Sequence, residues 1–176
     1  MGRDKALLPW ERGTLLSHSV ERLRQVLDDV RLLSGSADRH ALPGLSTVAD
    51  VGAGLGPLGA LRTALEDSAP QSVLLLAVDL PLVPVPLLSY LLRVSAQNDA
   101  VVPHSCSGPE PLVAVYSTAC LDPVGRRLAA GERRMSSFWG DVSVRHIGPD
   151  EIAPWGDPER LFANINTPAD LARWGP

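Results

Sequence analysis

Strands alternating with helices, together with a strand run that is apolar on both faces, place this chain in the α/β class: helices layered over a mainly parallel sheet. The amphipathic stretch Thr14 to Leu27 runs straight into a short strand segment, and the same order recurs down the chain. The run Val73-Leu74-Leu75-Leu76-Ala77-Val78 contains no polar residue, as a strand covered on both faces requires. With 176 residues, 45% of them apolar, there is chain enough for one sizeable core and too little for two. The expected architecture is a three-layer single domain spanning residues 1–176.

The elements follow in order. In Thr14 to Leu27, Leu15, Leu16, Val20, Leu23, Val26 and Leu27 recur at helical spacing among Glu21, Arg22, Arg24 and Gln25. Val30 to Leu33 reads as a strand ending at the turn-forming Ser34-Gly35-Ser36. Past a Pro43-Gly44 turn, Ser46 to Ala49 is a second strand, and the glycine-rich stretch Gly52 to Gly59 leads into a helix from about Leu58 to Glu66. After Val73 to Val78, Pro86 opens a helix that Leu87 to Ala96 continue. Ala100 to Val102 and Leu112 to Tyr116 are strands, and Pro123 to Ala130 is a helix. Val142 to Ile147 alternates as a late strand, and Pro168 to Trp174 closes the chain as a short helix.

Composition narrows the function. The 16 basic and 20 acidic residues give a net charge of -4, and no basic block is longer than Arg126-Arg127 or Arg133-Arg134, so no extended nucleic-acid surface is expected. Cys106 and Cys120 have neither zinc-ligand spacing nor a disulfide framework, which suits a reducing compartment. There is no signal-peptide pattern, and no apolar run is long enough to span a bilayer. The chain is therefore expected to be soluble and cytoplasmic, with no membrane partner. His18, His40, His104 and His146 pair with no evident nucleophile and read as surface or loop residues. Trp10, Trp139, Trp155 and Trp174 read as packing anchors.

In open α/β sheets ligands bind beyond the carboxyl ends of the strands, so polar residues directly after apolar runs are the site candidates. Asp79, in Asp79-Leu80-Pro81, ends the buried strand and could hold Mg²⁺, a hard cation that takes oxygen ligands; otherwise it caps the turn before Pro81. Asp50 ends the Ser46 to Ala49 strand and precedes Val51-Gly52-Ala53-Gly54-Leu55-Gly56-Pro57-Leu58-Gly59, where glycines allow close backbone approach and the following helix offers free N–H groups. Such a string also serves as an ordinary tight turn. Lys5, shortly after Gly2, supplies a compact positive charge suited to a phosphate, or is merely solvated.

Taken together, Met1-Gly2-Arg3-Asp4-Lys5-Ala6-Leu7-Leu8-Pro9 resembles the second half of the nucleotidyltransferase signature L-A-G-G-x-S-x-R-M-G-x-D-K. The Asp50 to Gly59 string, the Asp79 turn and the ending Asn164-Ile165-Asn166-Thr167-Pro168-Ala169-Asp170-Leu171 fall in that family's order. Pro111 to Tyr116 and Gly131-Glu132-Arg133-Arg134 are similar to segments of its molybdenum cofactor guanylyltransferase branch, as is the N-x-N-T-P-x-D-L ending. The resemblance implies the Rossmann-like nucleotide-diphospho-sugar transferase fold and transfer of GMP from GTP to molybdopterin, with Mg²⁺ as cofactor. It implies that Gly2 and Lys5 contact the phosphates, that Asp79 binds the metal, and that Asp50 recognises guanine. Gly56, Pro57 and Gly59 would wall the nucleotide, and Ser34 falls in a further nucleotide-contacting loop. Asn164 and Asn166 would serve the pterin, their other reading being caps for the helix near Pro168. Molybdoenzyme chaperones and other cofactor-biosynthesis proteins are the partners implied. The family's first strand and L-A-G-G loop would lie upstream of Met1, so the fold is expected in an N-terminally truncated form. A cytidylyltransferase for the same cofactor, a sugar-nucleotide pyrophosphorylase or a non-catalytic nucleotide-binding protein are the rival readings.

Overall fold

The computed structural model describes residues 4–34, 42–49, 54–67 and 72–175. After a 3-10 turn at Lys5–Leu7, strands β1 (Pro9–Trp10) and β2 (Gly13–Thr14) form a small antiparallel hairpin that feeds helix α1 (Leu15–Leu23). Gly13 leaves room where hairpin meets helix: a Cβ there would stand 2.4 Å from Ser17 Oγ and displace that hydroxyl. That hydroxyl closes a capping box with Thr14, so Thr14 caps the helix and lies outside it. The amphipathic pattern runs on to Leu27, but the helix ends at Leu23 and the apolar tail continues as a turn, with Leu27 N–H bonded to Leu23 O at 2.9 Å.

Strand β3 (Arg31–Ser34) pairs in parallel with β4 (Ser46–Ala49), the connection between them lying outside the described residues. Helix α2 (Gly56–Asp67) leads to β5 (Ser72–Leu76), and α3 (Val85–Val94) to β6 (Ala100–Ser105). A hairpin with β7 (Gly108–Pro109) then turns the chain back into β8 (Val113–Ser117). The remainder is α4 (Leu121–Ala129), β9 (Val144–Ile147), α5 (Pro149–Ile152), α6 (Pro158–Leu161) and α7 (Pro168–Trp174). The strand, α2, α3 and α4 expectations hold to within a few residues. The two-residue strands and the short helices α5 and α6 carry too little periodicity to be read in advance.

The main sheet has the order β5-β8-β6-β7, with β9 beside β6. Strands β5 and β6 are both antiparallel to β8 and β9 is parallel to β6, so β5, β6 and β9 point the same way. The reversed β8 has a simple cause: residues 106–112 are too few for the crossover that a parallel return needs, which takes about a dozen residues or more. Between the β3–β4 pair and β5 lies an apolar cavity of about 350 Å³, with Leu33, Val48, Ala64, Val73 and Leu75 among its walls.

Both faces of the main sheet are covered, as the unbroken apolar runs require. Ala114 and Tyr116 of β8, with Ala100 and Val102 of β6, pack against α2, α4 and Phe138. Val113, Val115 and Val101 pack on the other face against α3, Ile152 and Leu161. A third cluster joins Trp10, Leu15 and Ile165, with Val78 and Trp174 against it. All four tryptophans lie in or against these clusters. The histidine expectation is corrected for His18, a largely buried residue of α1; His146 is at the surface as expected, on β9, with its Nδ1 2.8 Å from Nε2 of the half-buried His104 on β6. His40 lies outside the described residues.

Among the described residues, no helix is long and apolar enough to cross a membrane.

Candidate functional site

The carboxyl edges of the strands can be located from one ion pair. Arg31, which starts β3, bonds Asp67, which ends α2 just before β5 begins. The starts of β3 and β5 therefore share one edge, and the N-terminus of α2 lies toward the other, about 17 Å along a helix of this length. Ser34, Gly56 and Asp79 all fall toward that second edge.

Three of the expected residues meet there. The strand β5 ends at Leu76, and the chain turns at once, with Leu80 N–H bonded to Ala77 O at 3.2 Å. The turn projects the Asp79 carboxylate toward Lys5, whose Nζ stands 3.9 Å from Oδ2. Lys5 is set by its 3-10 turn, which Asp4 caps by accepting from Ala6 N–H at 3.2 Å. Asn166 completes the group: its Oδ1 accepts from Lys5 Nζ at 2.5 Å, across 161 positions of sequence. Lys5 and Asp79 border a concavity of about 310 Å³ that Asp4, Ala6 and Val78 also line.

Asn166 arrives by alternation in an extended segment. Ile165 is wholly buried against Trp10 and Leu15 while Asn164 and Asn166 face outward, and Ile165 N–H donates to Asp79 O at 2.9 Å. The buried isoleucine and this backbone bond thus tie the C-terminal segment to the Asp79 turn. The alternative reading of the two asparagines as helix caps is corrected, since Thr167 caps α7 in a capping box with Asp170. Nor does Asp79 act as a turn cap, because its side chain faces Lys5.

Asp170 holds the segment from below. Its carboxylate accepts from the Asn166 and Thr167 N–H groups at 3.0 and 2.8 Å and from the Thr167 hydroxyl, and these bonds, the Asn166 amide foremost, pull its pKa below the ordinary value. A depressed folded pKa contributes stability that is present above the unfolded value and lost as pH falls through the folded one. Asp170→Asn is therefore expected to lower the melting temperature at pH 7 and to make no difference well below about pH 4. Melting curves of both proteins from pH 7 to pH 2.5 check this; a gap that persists in acid would contradict the ionic origin.

The other expected residues are not drawn into this contact. Ser34 is buried at the end of β3. Gly56 and Pro57 are exposed in the first turn of α2 and Gly59 is buried in it, with Gly54 and Gly56 at φ +93° and +67°, conformations that favour glycine. Gly2 and Asp50 lie outside the described residues. Sequence reasoning missed Arg22 and His18, which reach the Asp79 loop from α1. Position 22 falls seven residues after Leu15, on the buried face, and that spacing was the available signal.

The fit to a divalent cation can be tested on the donor set. Among the described residues, no three His, Cys, Asp or Glu side chains converge to form an all-protein cage. One partly exposed carboxylate beside a cationic amine suits an ion that keeps water and shares phosphate oxygens, as Mg²⁺ or Mn²⁺ does. Asp79 would hold it.

Residues 1–145 match the profile of the MobA-like NTP transferase domain. The probable molybdenum cofactor guanylyltransferase of Pelotomaculum thermopropionicum is 32% identical over 174 residues, covering 98% of this chain and 84% of that protein. Its counterpart in Deinococcus radiodurans is 37% identical over 175 residues, covering 97% and 85%. In three dimensions the chain is similar to the molybdopterin-guanine dinucleotide biosynthesis protein A of Archaeoglobus fulgidus, with a TM-score of 0.81 at 22% identity over 99% of this chain and 90% of that one. A Mycobacterium tuberculosis protein solved as a complex with manganese gives a TM-score of 0.69 at 24% identity, covering 98% and 92%.

Proposed function

The chain belongs to the MobA-like NTP transferase family, and from that premise we propose that it transfers GMP from GTP to molybdopterin, forming the guanine dinucleotide cofactor and releasing pyrophosphate. The observation that carries the residue assignment is the meeting of Lys5 and Asp79 at one concavity, with Asn166 bonded to the Lys5 ammonium. Residues 1–176 act as one nucleotidyltransferase domain with the nucleotide-diphospho-sugar transferase fold.

In the reaction, an oxygen of the acceptor's terminal phosphate attacks the α-phosphorus of GTP in line. The new P–O bond forms as the bond to the bridging oxygen breaks, and that electron pair leaves with pyrophosphate. Little covalent work falls to the protein, so its residues act by position and charge. Lys5 offsets the charge building on the phosphate oxygens, and Asn166, accepting from its ammonium, fixes where that charge stands. Asp79 holds the divalent ion, Mg²⁺ in this reading, which when bound supplies further neutralisation of the triphosphate. Gly2 adds a close backbone approach to the phosphates. Asp50 reads the guanine, Gly56, Pro57 and Gly59 contribute the nucleotide wall, and Ser34 belongs to a further nucleotide-contacting loop. Asn164, exposed on the same extended segment as Asn166, faces the pterin acceptor. The reaction belongs in the cytoplasm, with molybdoenzyme chaperones and other cofactor-biosynthesis proteins receiving the product.

The deciding experiment is turnover with GTP against CTP, Mg²⁺ and molybdopterin present and pyrophosphate release measured. GTP is expected to be preferred by about ten-thousandfold in kcat/KM, the scale that hydrogen-bonded recognition supplies. Preference for CTP would sink the guanylyl assignment, and nucleotide binding without pyrophosphate release would sink the enzymatic one.

A further inference from the structure

The loop that carries Asp79 is pinned at three backbone carbonyls. Ala77 O accepts from Leu80 N–H and Asp79 O from Ile165 N–H, at 3.2 and 2.9 Å. The third, Pro81 O, takes two donors from one face of α1: Arg22 Nη1 and, at 3.1 Å, His18 Nε2. Because a carbonyl only accepts, the proton on His18 sits at Nε2.

Arg22 occupies a position where the helix pattern calls for an apolar residue, and it is only 8% exposed. Burial brings its pKa down to about 10 against the opposing pull of Glu11, so the guanidinium remains a cation near neutral pH. A buried cation is costly unless hydrogen-bonded and faced by opposite charge. Both conditions are met here. Glu11 sits in the β1–β2 turn at φ +47°, an unfavourable backbone for a residue with a side chain, and its carboxylate stands 3.6 Å from His18 Nδ1. Hairpin, helix and Asp79 loop thereby converge on one point: Arg22 and His18 both donate to the Pro81 carbonyl, and the Glu11 carboxylate supplies the charge opposite Arg22.

We infer that Arg22, seated with His18 on α1, is the positioning residue that sets where the Asp79 carboxylate stands relative to Lys5. The inference rests on Asp79 as the metal-holding residue. Arg22 touches no substrate; it acts through the backbone of the loop. A residue that served only the core would change global stability without a local effect on this turn.

The test uses the full chain with Arg22→Met, which keeps the stem and loses the donors, and Arg22→Lys, which keeps a charge. Amide hydrogen exchange is followed across residues 77–82, and Mn²⁺ affinity in the presence of GTP is measured by electron paramagnetic resonance. In Arg22→Met, exchange in this loop is expected to quicken and Mn²⁺ affinity to fall about tenfold, the scale of losing a residue that orients a metal ligand. GTP affinity without metal should stay as in the parent, and Arg22→Lys should recover part of the loss. Unchanged loop exchange and Mn²⁺ affinity in folded Arg22→Met overturns the inference, as does exchange that quickens equally across the whole chain. Should Arg22→Met not fold, Arg22→Gln, which keeps a polar head without the charge or the reach, takes its place. Faster loop exchange there supports the inference and unchanged exchange overturns it. Asp79→Ala runs in parallel: Mn²⁺ lost there but retained in Arg22→Met sinks the positioning role alone, and Mn²⁺ retained in Asp79→Ala sinks the metal assignment with it.

Discussion

Asp79→Ala lowers the rate of pyrophosphate release about a thousandfold, the scale of removing a preorganised charge from a transferring phosphate group, while the melting temperature stays close to that of the parent. The two halves of this expectation have separate causes. The side chain is partly exposed, and its one ion pair, with Lys5 at 3.9 Å, is a surface contact of the kind worth about 1 kcal/mol or less. What the fold uses at this position is the backbone: Asp79 O accepts from Ile165 N–H, and that bond survives truncation of the side chain. Asp79→Asn separates charge from shape. It keeps the volume and an oxygen acceptor, so a loss as deep as that of alanine assigns the effect to the carboxylate charge. A variant with parental turnover would remove Asp79 from the metal role, and one that unfolds would show that the side chain serves structure.

Lys5→Met lowers kcat/KM for GTP about a hundredfold, because the ammonium is the positive charge of the Lys5, Asp79 and Asn166 group. More than half of this side chain is exposed, at 55%, so stability should be indifferent to its loss. Lys5→Arg is expected to recover little, since a planar guanidinium fork does not reproduce a compact charge held by one amide oxygen. The informative measurement is the cycle with Asn166→Ala. If Asn166 works by holding Lys5, the double variant is no slower than Lys5→Met alone. If Asn166 instead serves the pterin, as the family resemblance implies, the two losses add, and the Asn166→Ala defect resides in KM for the acceptor. Lys5→Met with unimpaired kcat/KM would contradict the phosphate role altogether.

The Lys5–Asn166 contact also marks the boundary of what could be read in advance. Val73 to Leu76 was legible as a doubly covered strand because its residues are apolar without interruption, and the carboxylate after it was legible as a site candidate because strand ends face ligands. Pro168 to Trp174 was legible because a proline at the first turn marks a helix start locally, although its cap was looked for at Asn164 and Asn166 and is Thr167. The reversed direction of β8 was not, since periodicity reports which face is buried and says nothing of direction; the short 106–112 connection decides it.

The sequence by itself determined the α/β class, nearly all the longer elements and, through motif order, the family, because those depend on local pattern and on short segments in series. Only the tertiary structure decided which of the separate candidates share one site. Lys5 and Asn166 lie at opposite ends of the chain and meet because Ile165 is buried against Trp10 and Leu15, and its N–H finds the Asp79 carbonyl. Arg22 looked like one more solvated charge on an amphipathic helix. It is buried because the carbonyl it serves comes from a loop 59 residues away, and such a partner has no local signature.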